Sequence, residues 1–145
     1  MRRVCLIADD DPSVYLSLPR ALAMLFGRAW GPNHGIELIT ARSLIEGDGA
    51  LKLLAADFEV HCVLITDYEL GDGLGSELIT VCRKLLGQDR SLQVLQSGSV
   101  LSDLLNDPVV KALPRASLLA KPVRLAEFEA LLPQMAAVWG LSLEG

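Results

Sequence analysis

The sequence has no apolar run of about 18 residues, the length that would suggest a membrane span. It also has no run of basic residues longer than Arg2-Arg3, and its formal net charge is −5. Direct nucleic-acid binding usually needs a concentrated basic surface, so this charge pattern argues against it. The first residues lead directly into an apolar segment and offer no signal-peptide cleavage site. We therefore expect direct binding neither to a membrane nor to nucleic acid.

Cysteine and histidine are scarce and scattered. Cys5, Cys62 and Cys82 stand in apolar surroundings without a CxxC pair, and His34 and His61 lack the spacing of metal ligands. Isolated cysteines of this kind are typical of reduced, buried thiols in a cytosolic protein. The pattern favours a cytoplasmic location and makes a thiol-based metal or redox centre the minor interpretation.

The composition is that of a globular chain, with 51% hydrophobic and 21% charged residues among 145. This length is enough for one domain with a full core. Apolar runs of strand length alternate with segments of helical periodicity, and this alternation predicts an α/β fold with a parallel sheet and helices on both faces. The predicted strands cover residues 4–8, 36–40, 60–66, 92–96 and 118–120.

Caps, glycines and prolines set the expected limits of the helices. Asp11 is predicted to cap the first helix, which should end before a glycine-rich loop over residues 27–35. Ser43 begins a capping-box pattern, but two glycines follow it, so the second helix is expected from about residue 48. Pro108 should interrupt the helical segment that follows the fourth strand.

Polar side chains follow four of the predicted strands, namely Asp9 and Asp10, Asp67, Ser97 and Lys121. In a parallel sheet these ends share one edge, where ligands bind. Crowded carboxylates repel one another, and Mg²⁺ with oxygen ligands relieves that conflict. An aspartate can be the nucleophile, while a hydroxyl and an ammonium bind phosphoryl oxygens. These residues therefore predict magnesium-dependent phosphoryl transfer to an aspartate.

Two other interpretations of this region fit less well. A calcium loop over the glycine-rich segment 71–75 would need a glutamate at its twelfth position, where Leu78 stands. A phosphohydrolase of the haloacid type would have a second aspartate two residues after the nucleophile, where this chain has Glu69.

Taken together, these motifs resemble those of the receiver domain of two-component response regulators. The resemblance covers roughly residues 3–139 and rests on the segments 6–10, 65–70 with Gly75, 97–98 and 121–122. It implies a doubly wound five-stranded parallel sheet of order 2-1-3-4-5, which is a flavodoxin-like three-layer sandwich. The domain would cover residues 1–140, with a short C-terminal tail over 141–145.

The resemblance also implies a role for each residue that matches a family motif. Asp67 is the phosphoacceptor. Asp10 and Asp67 bind Mg²⁺ directly, Asp9 binds it mainly through water, and the backbone carbonyl of Glu69 is a further ligand. The only expected chemistry is self-catalysed phosphoryl transfer and autodephosphorylation, so we do not expect a conventional enzyme.

Further residues around the acceptor take supporting roles by the same resemblance. Ser97 and Lys121 bind the phosphoryl group. Glu69 and Ser99 flank the path of the attacking water, and are therefore expected to set the rate of dephosphorylation.

The expected partner is a histidine kinase or a histidine phosphotransfer protein. A donor histidine must approach Asp67 from the same sheet edge, so the expected partner surface is the start of the first helix, with Tyr15, Leu16 and Pro19. The downstream protein target stays open, and a homodimer is a further candidate assembly.

The chain departs from the family pattern at three positions. Leu118 stands where the family has an aromatic switch residue, and Gly71 and Leu74 replace a frequent proline and aspartate, so a looser loop is expected. These departures motivate an alternative function, a degenerate receiver that acts as a phosphorylation-independent protein-binding scaffold. The complete set of acids, serine and lysine weighs against it.

Overall fold

A five-stranded parallel sheet forms the centre of the molecule in the computed structural model, which describes residues 1–99 and 101–143. The strands are β1 (Arg2–Ala8), β2 (Ile36–Ala41), β3 (Val60–Asp67), β4 (Ser91–Ser97) and β5 (Leu118–Ala120). Their order in the sheet is β2-β1-β3-β4-β5. This order, together with helices on both faces, confirms the predicted doubly wound, flavodoxin-like fold.

The helices are α1 (Pro12–Trp30), α2 (Leu44–Ala55), α3 (Gly75–Arg90), α4 (Leu101–Leu104), α5 (Pro108–Lys111), α6 (Leu125–Glu129) and α7 (Leu132–Trp139). One layer contains α1, α6 and α7, and the other contains α2, α3, α4 and α5. Among the described residues, none of these helices combines the length and the apolar character that a membrane crossing requires.

Two hydrophobic cores flank the sheet, because successive side chains of a strand point to opposite faces. In β1, Val4 and Leu6 pack towards α2 and α3, while Cys5 and Ile7 pack towards α1 and α7. All four of these side chains are fully buried. The cysteines are free and buried in these cores, as predicted. The continuous apolar runs of the sequence therefore correspond to strands covered on both faces.

The first helix is longer than the sequence predicted. The prediction of a loop over residues 27–35 is wrong for residues 27–30, which are helical. Helix α1 continues to Trp30 and ends at Gly31, whose φ is 83°. The rings of Phe26 and Trp30 pack against that of Trp139, with centroid separations of 5.3 and 6.0 Å. This aromatic packing onto α7 outweighs the weak helix preference of the glycine in the same turn.

The second helix also begins earlier than expected, at Leu44 rather than near residue 48. Its cap is Ser43, whose hydroxyl accepts a hydrogen bond from the backbone N–H of Glu46 at 3.1 Å. The carboxylate of Asp72, in the loop after β3, accepts two more bonds from the first helical N–H groups, at 2.7 and 3.0 Å. These extra acceptors satisfy free backbone donors and offset the cost of the glycines that follow.

The predicted interruption after β4 is confirmed. Helix α4 ends at Leu104, and α5 begins at Pro108. The cap of α5 is Asp107, whose carboxylate accepts a hydrogen bond from the backbone N–H of Val109 at 2.9 Å. Two helices of only four residues thus stand where a continuous helix would otherwise lie.

Two glycines of α2 provide a matched test of the contact between α2 and α3. A Cβ at Gly47 would lie 2.8 Å from Cδ2 of buried Leu78, whereas a Cβ at Gly49 would meet none of the described atoms within 4 Å. Gly49→Ala should therefore raise the free energy of unfolding by about 0.5–1 kcal/mol, through helix preference alone. Gly47→Ala should lower it by about 1 kcal/mol, because overpacking outweighs that gain. Denaturant unfolding measures both, and equal effects would contradict the close approach.

Candidate functional site

The carboxyl edge of the sheet brings four of the predicted site residues into contact range. The carboxylates of Asp9, Asp10 and Asp67 each have an oxygen within 4.8 Å of the others. Lys121 Nζ lies 2.8 Å from Asp9 Oδ2 and 3.2 Å from Asp67 Oδ2. Asp9 is fully buried, the Asp67 side chain is 13% exposed, and Asp10 is exposed. The cluster therefore grades from the protein interior to solvent.

The carboxylate of Asp9 is held by donors from three parts of the chain. Its Oδ1 accepts a hydrogen bond from the backbone N–H of Asp11 at 2.9 Å. Its Oδ2 accepts from Lys121 Nζ at 2.8 Å and from Gln96 Nε2 at 3.2 Å. A buried charge is tolerated only when it is paired and hydrogen-bonded, and Asp9 meets both conditions. Both of its oxygens therefore already have protein partners, and the contact of Asp9 with a metal through water stays a prediction.

The sequence alone assigns no role to Gln96. It is a polar amide near the end of an apolar strand, but the register that pairs it with Asp67 is visible only in the structure.

The charges of the cluster are not balanced. Burial raises the pKa of Asp67 and the charge of Asp9 raises it further, while Lys121 opposes both effects. Burial alone would lower the pKa of Lys121, but the carboxylates of Asp9 and Asp67 outweigh burial and raise it. Three carboxylates around one ammonium leave a surplus of negative charge, which a bound cation would neutralise.

The residues present fit a hard divalent cation. Asp10 and Asp67 line an open cleft of about 470 Å³ together with Glu69, Gly71 and Gly73. Carboxylate oxygens beside an open cleft match the preference of Mg²⁺ for a few protein oxygens with water in its remaining positions.

A second cleft of about 280 Å³ adjoins the acceptor carboxylate, and the residues that line it are Asp67, Glu69, Ser97, Gly98, Ser99 and Lys121. The predicted phosphoryl-binding and rate-setting residues thus surround one space. Ser97 is 3% exposed, and its hydroxyl oxygen accepts a hydrogen bond from the backbone N–H of Ser99 at 3.0 Å. A hydroxyl that accepts in this way keeps its own hydrogen for another acceptor.

The loop after β3 requires glycine where it approaches the site. A Cβ at Gly75 would lie 2.0 Å from the carbonyl oxygen of Asp67, so no side chain fits there. Gly71 has a φ of 82°, and a Cβ on it would lie 3.2 Å from Asp10 Oδ2. The two hydrogen bonds that the Asp72 carboxylate accepts from backbone N–H groups at the start of α2 tie the loop to that helix. These contacts give no support to the looser loop that the sequence suggested.

Tyr68 is a second residue that sequence reasoning missed. It follows the predicted acceptor, and its hydroxyl donates a hydrogen bond to Asp107 Oδ2 at 3.0 Å. Burial raises the pKa of Tyr68, and the bond to Asp107 raises it further. Because Asp107 also caps α5, one carboxylate links the end of β3 to the short helices after β4. No spacing pattern in the sequence points to this pair.

The predicted partner surface lies on the first two turns of α1. Leu16 is 64% exposed, while Tyr15 and Pro19 are half-buried. The guanidinium of Arg42 lies 4.7 Å from the centroid of the Tyr15 ring, at a distance suited to a cation–π contact. Asp11 caps this helix as predicted, because its carboxylate accepts the backbone N–H of Ser13 at 2.9 Å.

No family model matches the sequence, and no curated protein matches it either. Solved structures do match the fold. A CheY-like response regulator receiver domain from Methylobacillus flagellatus superposes with a TM-score of 0.67 at 21% identity, over 93% of this chain and 99% of that one. The signal receiver domain of an HD domain-containing protein from Pseudomonas fluorescens gives 0.68 at 21% identity, over 96% and 90%.

A chemotaxis response regulator of Vibrio cholerae is similar as well, with a TM-score of 0.64 at 18% identity over 93% of this chain and 99% of that one. At these identities the similarity establishes the fold. The chain therefore has the CheY-like flavodoxin fold of receiver domains, with an acidic cluster at its carboxyl edge.

Mg²⁺ affinity should depend on Asp10 and not on its neighbour Asp11. Asp10→Asn should weaken binding about tenfold or more, since even outer partners of a metal contribute that much. Asp11→Asn is the matched control, because asparagine caps a helix as well as aspartate does. Amide NMR shifts during a magnesium titration measure both affinities. Wild-type affinity in Asp10→Asn would contradict the proposed ligand set.

Proposed function

We propose that this chain is a phosphoacceptor receiver module of two-component or phosphorelay signalling, with Asp67 as the acceptor. The observation that carries the proposal is the placement of the Asp67 carboxylate 3.2 Å from Lys121 Nζ, within a cluster of acids that fits a divalent cation. The shared fold with solved receiver domains supports the same assignment.

In the proposed reaction, a carboxylate oxygen of Asp67 attacks the phosphorus of a phosphohistidine. The new O–P bond forms as the P–N bond breaks, and the imidazole leaves. Lys121 neutralises one phosphoryl oxygen, and the Ser97 hydroxyl donates a hydrogen bond to another. Mg²⁺, held by Asp10, Asp67 and the Glu69 carbonyl, would supply positive charge to the transferred group when bound. The chain modifies itself and turns over no separate substrate, so it is not a conventional enzyme.

The partners that follow from this chemistry are a histidine kinase or a histidine phosphotransfer protein. The donor reaches Asp67 from the carboxyl edge of the sheet, past the first turns of α1. Exposed Leu16 and half-buried Tyr15 and Pro19 lie on those turns and form the proposed contact surface.

A phosphorylation-independent binding scaffold is the second candidate function. Leu118, which is 7% exposed, favours this candidate, because it has no ring to rotate in response to phosphorylation. Beryllofluoride with Mg²⁺ separates the two candidates. A phosphoacceptor forms a tight mimic of the phosphorylated state and shifts its NMR spectrum, whereas a scaffold without acceptor chemistry leaves its spectrum unchanged.

Phosphorylation should depend on Asp67. Wild-type protein treated with acetyl phosphate and Mg²⁺ should gain the mass of one phosphoryl group in an acid-labile form, and Asp67→Asn should not, because an amide is not an activated nucleophile. Mass spectrometry measures the gain. Asp72→Asn is a matched control, since that carboxylate binds the start of α2 and lies outside both clefts. Labelling of Asp67→Asn would show that another residue is the acceptor.

Lys121→Ala should keep Mg²⁺ binding largely intact and weaken the response to phosphorylation.

The lifetime of the phosphorylated form should depend on Glu69 and Ser99. Both residues line the cleft beside the acceptor, where a water molecule would attack. Glu69 adds negative charge near the phosphoryl group and Ser99 leaves space, so Glu69→Ala and Ser99→Ala should each change the rate of dephosphorylation. Decay of the acid-labile mass measures that rate. An unchanged lifetime in both variants would show that neither residue influences the attack of water on the phosphoryl group.

A further inference from the structure

Gln96 is a buried amide at the carboxyl edge of the sheet. The phosphoryl transfer proposed above assigns it no role. It is the penultimate residue of β4, is 2% exposed, and pairs with Asp67 in the strand register. The preceding residues Val94 and Leu95 are buried and apolar. A buried amide is costly unless it is hydrogen-bonded, and Gln96 Nε2 donates to Asp9 Oδ2 at 3.2 Å.

Two donors of different mobility therefore share one oxygen. Asp9 Oδ2 accepts from Gln96 Nε2 and also from Lys121 Nζ, at 2.8 Å. The Lys121 side chain is 22% exposed and ends a flexible four-carbon stem, whereas Gln96 is enclosed in the sheet. Lys121 Nζ also lies 3.2 Å from Asp67 Oδ2, so it already stands between the two carboxylates.

This sharing matters when Asp67 carries a phosphoryl group. Lys121 must then turn towards a phosphoryl oxygen, and the fully buried Asp9 loses its cationic partner. A buried carboxylate without a donor at that oxygen is strongly unfavourable and would pull Lys121 back. A second donor that stays in place lowers this penalty, because it keeps that oxygen hydrogen-bonded.

We propose that Gln96 is a positioning residue that holds the Asp9 carboxylate and so frees Lys121 to move from Asp9 to the phosphoryl group on Asp67. The inference rests on the proposed phosphoacceptor function. Its distinguishing consequence is that Gln96 affects binding of a phosphoryl mimic more than binding of Mg²⁺, because Gln96 donates to Asp9 and is not among the residues that line the open cleft beside Asp10.

The test replaces the amide by an unbranched side chain of similar length without a donor, Gln96→Met. The matched control is Gln93→Met, since Gln93 is a buried amide of the same strand. Its Nε2 donates to Ser91 Oγ at 2.7 Å and to Cys82 Sγ at 3.5 Å, at the opposite end of β4. Both substitutions remove a buried hydrogen-bonded amide, but only one removes a donor to Asp9.

Beryllofluoride affinity in the presence of saturating Mg²⁺ should fall about tenfold or more in Gln96→Met, the size expected for loss of a hydrogen bond to a buried charge. Mg²⁺ affinity without beryllofluoride should stay near that of wild type, and Gln93→Met should keep both affinities. The NMR signals of the Lys121 side chain should respond less to beryllofluoride in Gln96→Met than in wild type.

Three results would overturn the inference while leaving the proposed function intact. They are unchanged beryllofluoride affinity in Gln96→Met, an equal loss in Gln93→Met, and a loss of Mg²⁺ affinity as large as the loss of beryllofluoride affinity. Failure of the wild-type protein to bind beryllofluoride would instead overturn the proposed function itself, and the inference with it.

A measurement on the wild-type protein covers the case in which Gln96→Met does not fold. The side-chain amide hydrogens of Gln96 should stay protected from exchange when beryllofluoride is added, while the Lys121 signals shift. Loss of that protection would show that the bond between Gln96 and Asp9 breaks on activation, which contradicts a fixed positioning role.

Discussion

The buried carboxylate of Asp9 is the constraint on which the arrangement of the sheet edge depends. This charge lies at the end of β1, and its donors come from the turn into α1, from Gln96 on β4 and from Lys121 after β5. Breaking a buried pair leaves an uncompensated charge, which is one of the larger penalties available to a folded protein. The meeting of these strand ends supplies the donors that the buried carboxylate needs, and the same meeting places Asp67 beside Lys121.

Most of the fold was predictable because its strongest signals are local. Apolar runs of strand length, the Asp11 cap and the break at Pro108 each act within a few residues, and the structure contains the elements that they predict. The errors concern the end of α1 and the start of α2, where a contact with a distant part of the chain sets the helix limit. Packing of Trp30 on Trp139 extends α1, and the carboxylate of Asp72 helps α2 to begin early. Neither contact follows from the local pattern, because each depends on a partner far along the chain.

The residues of the candidate site also fall into two groups, those that a local sequence pattern predicts and those that depend on distant contacts. Asp67, Ser97 and Lys121 were predictable since each ends an apolar run, and the ends of parallel strands share one edge. Gln96 and Tyr68 were not, because a single polar or aromatic residue inside an element forms no pattern by itself. Their partners become visible only when the register places Gln96 opposite Asp67, and when α5 brings its cap within reach of the Tyr68 hydroxyl.

The hydrogen bond between Tyr68 and Asp107 links the candidate site to the short helices after β4. This link does not involve Leu118 on β5, which has no aromatic ring. Tyr68 follows the proposed acceptor, and Asp107 caps α5 with its other carboxylate oxygen. Helices of four residues such as α4 and α5 form few internal hydrogen bonds, so their order depends on tertiary contacts like this one. In the receiver function proposed above, Leu118 offers no ring to rotate, and the Tyr68 hydroxyl joins the end of the acceptor strand to the cap of α5.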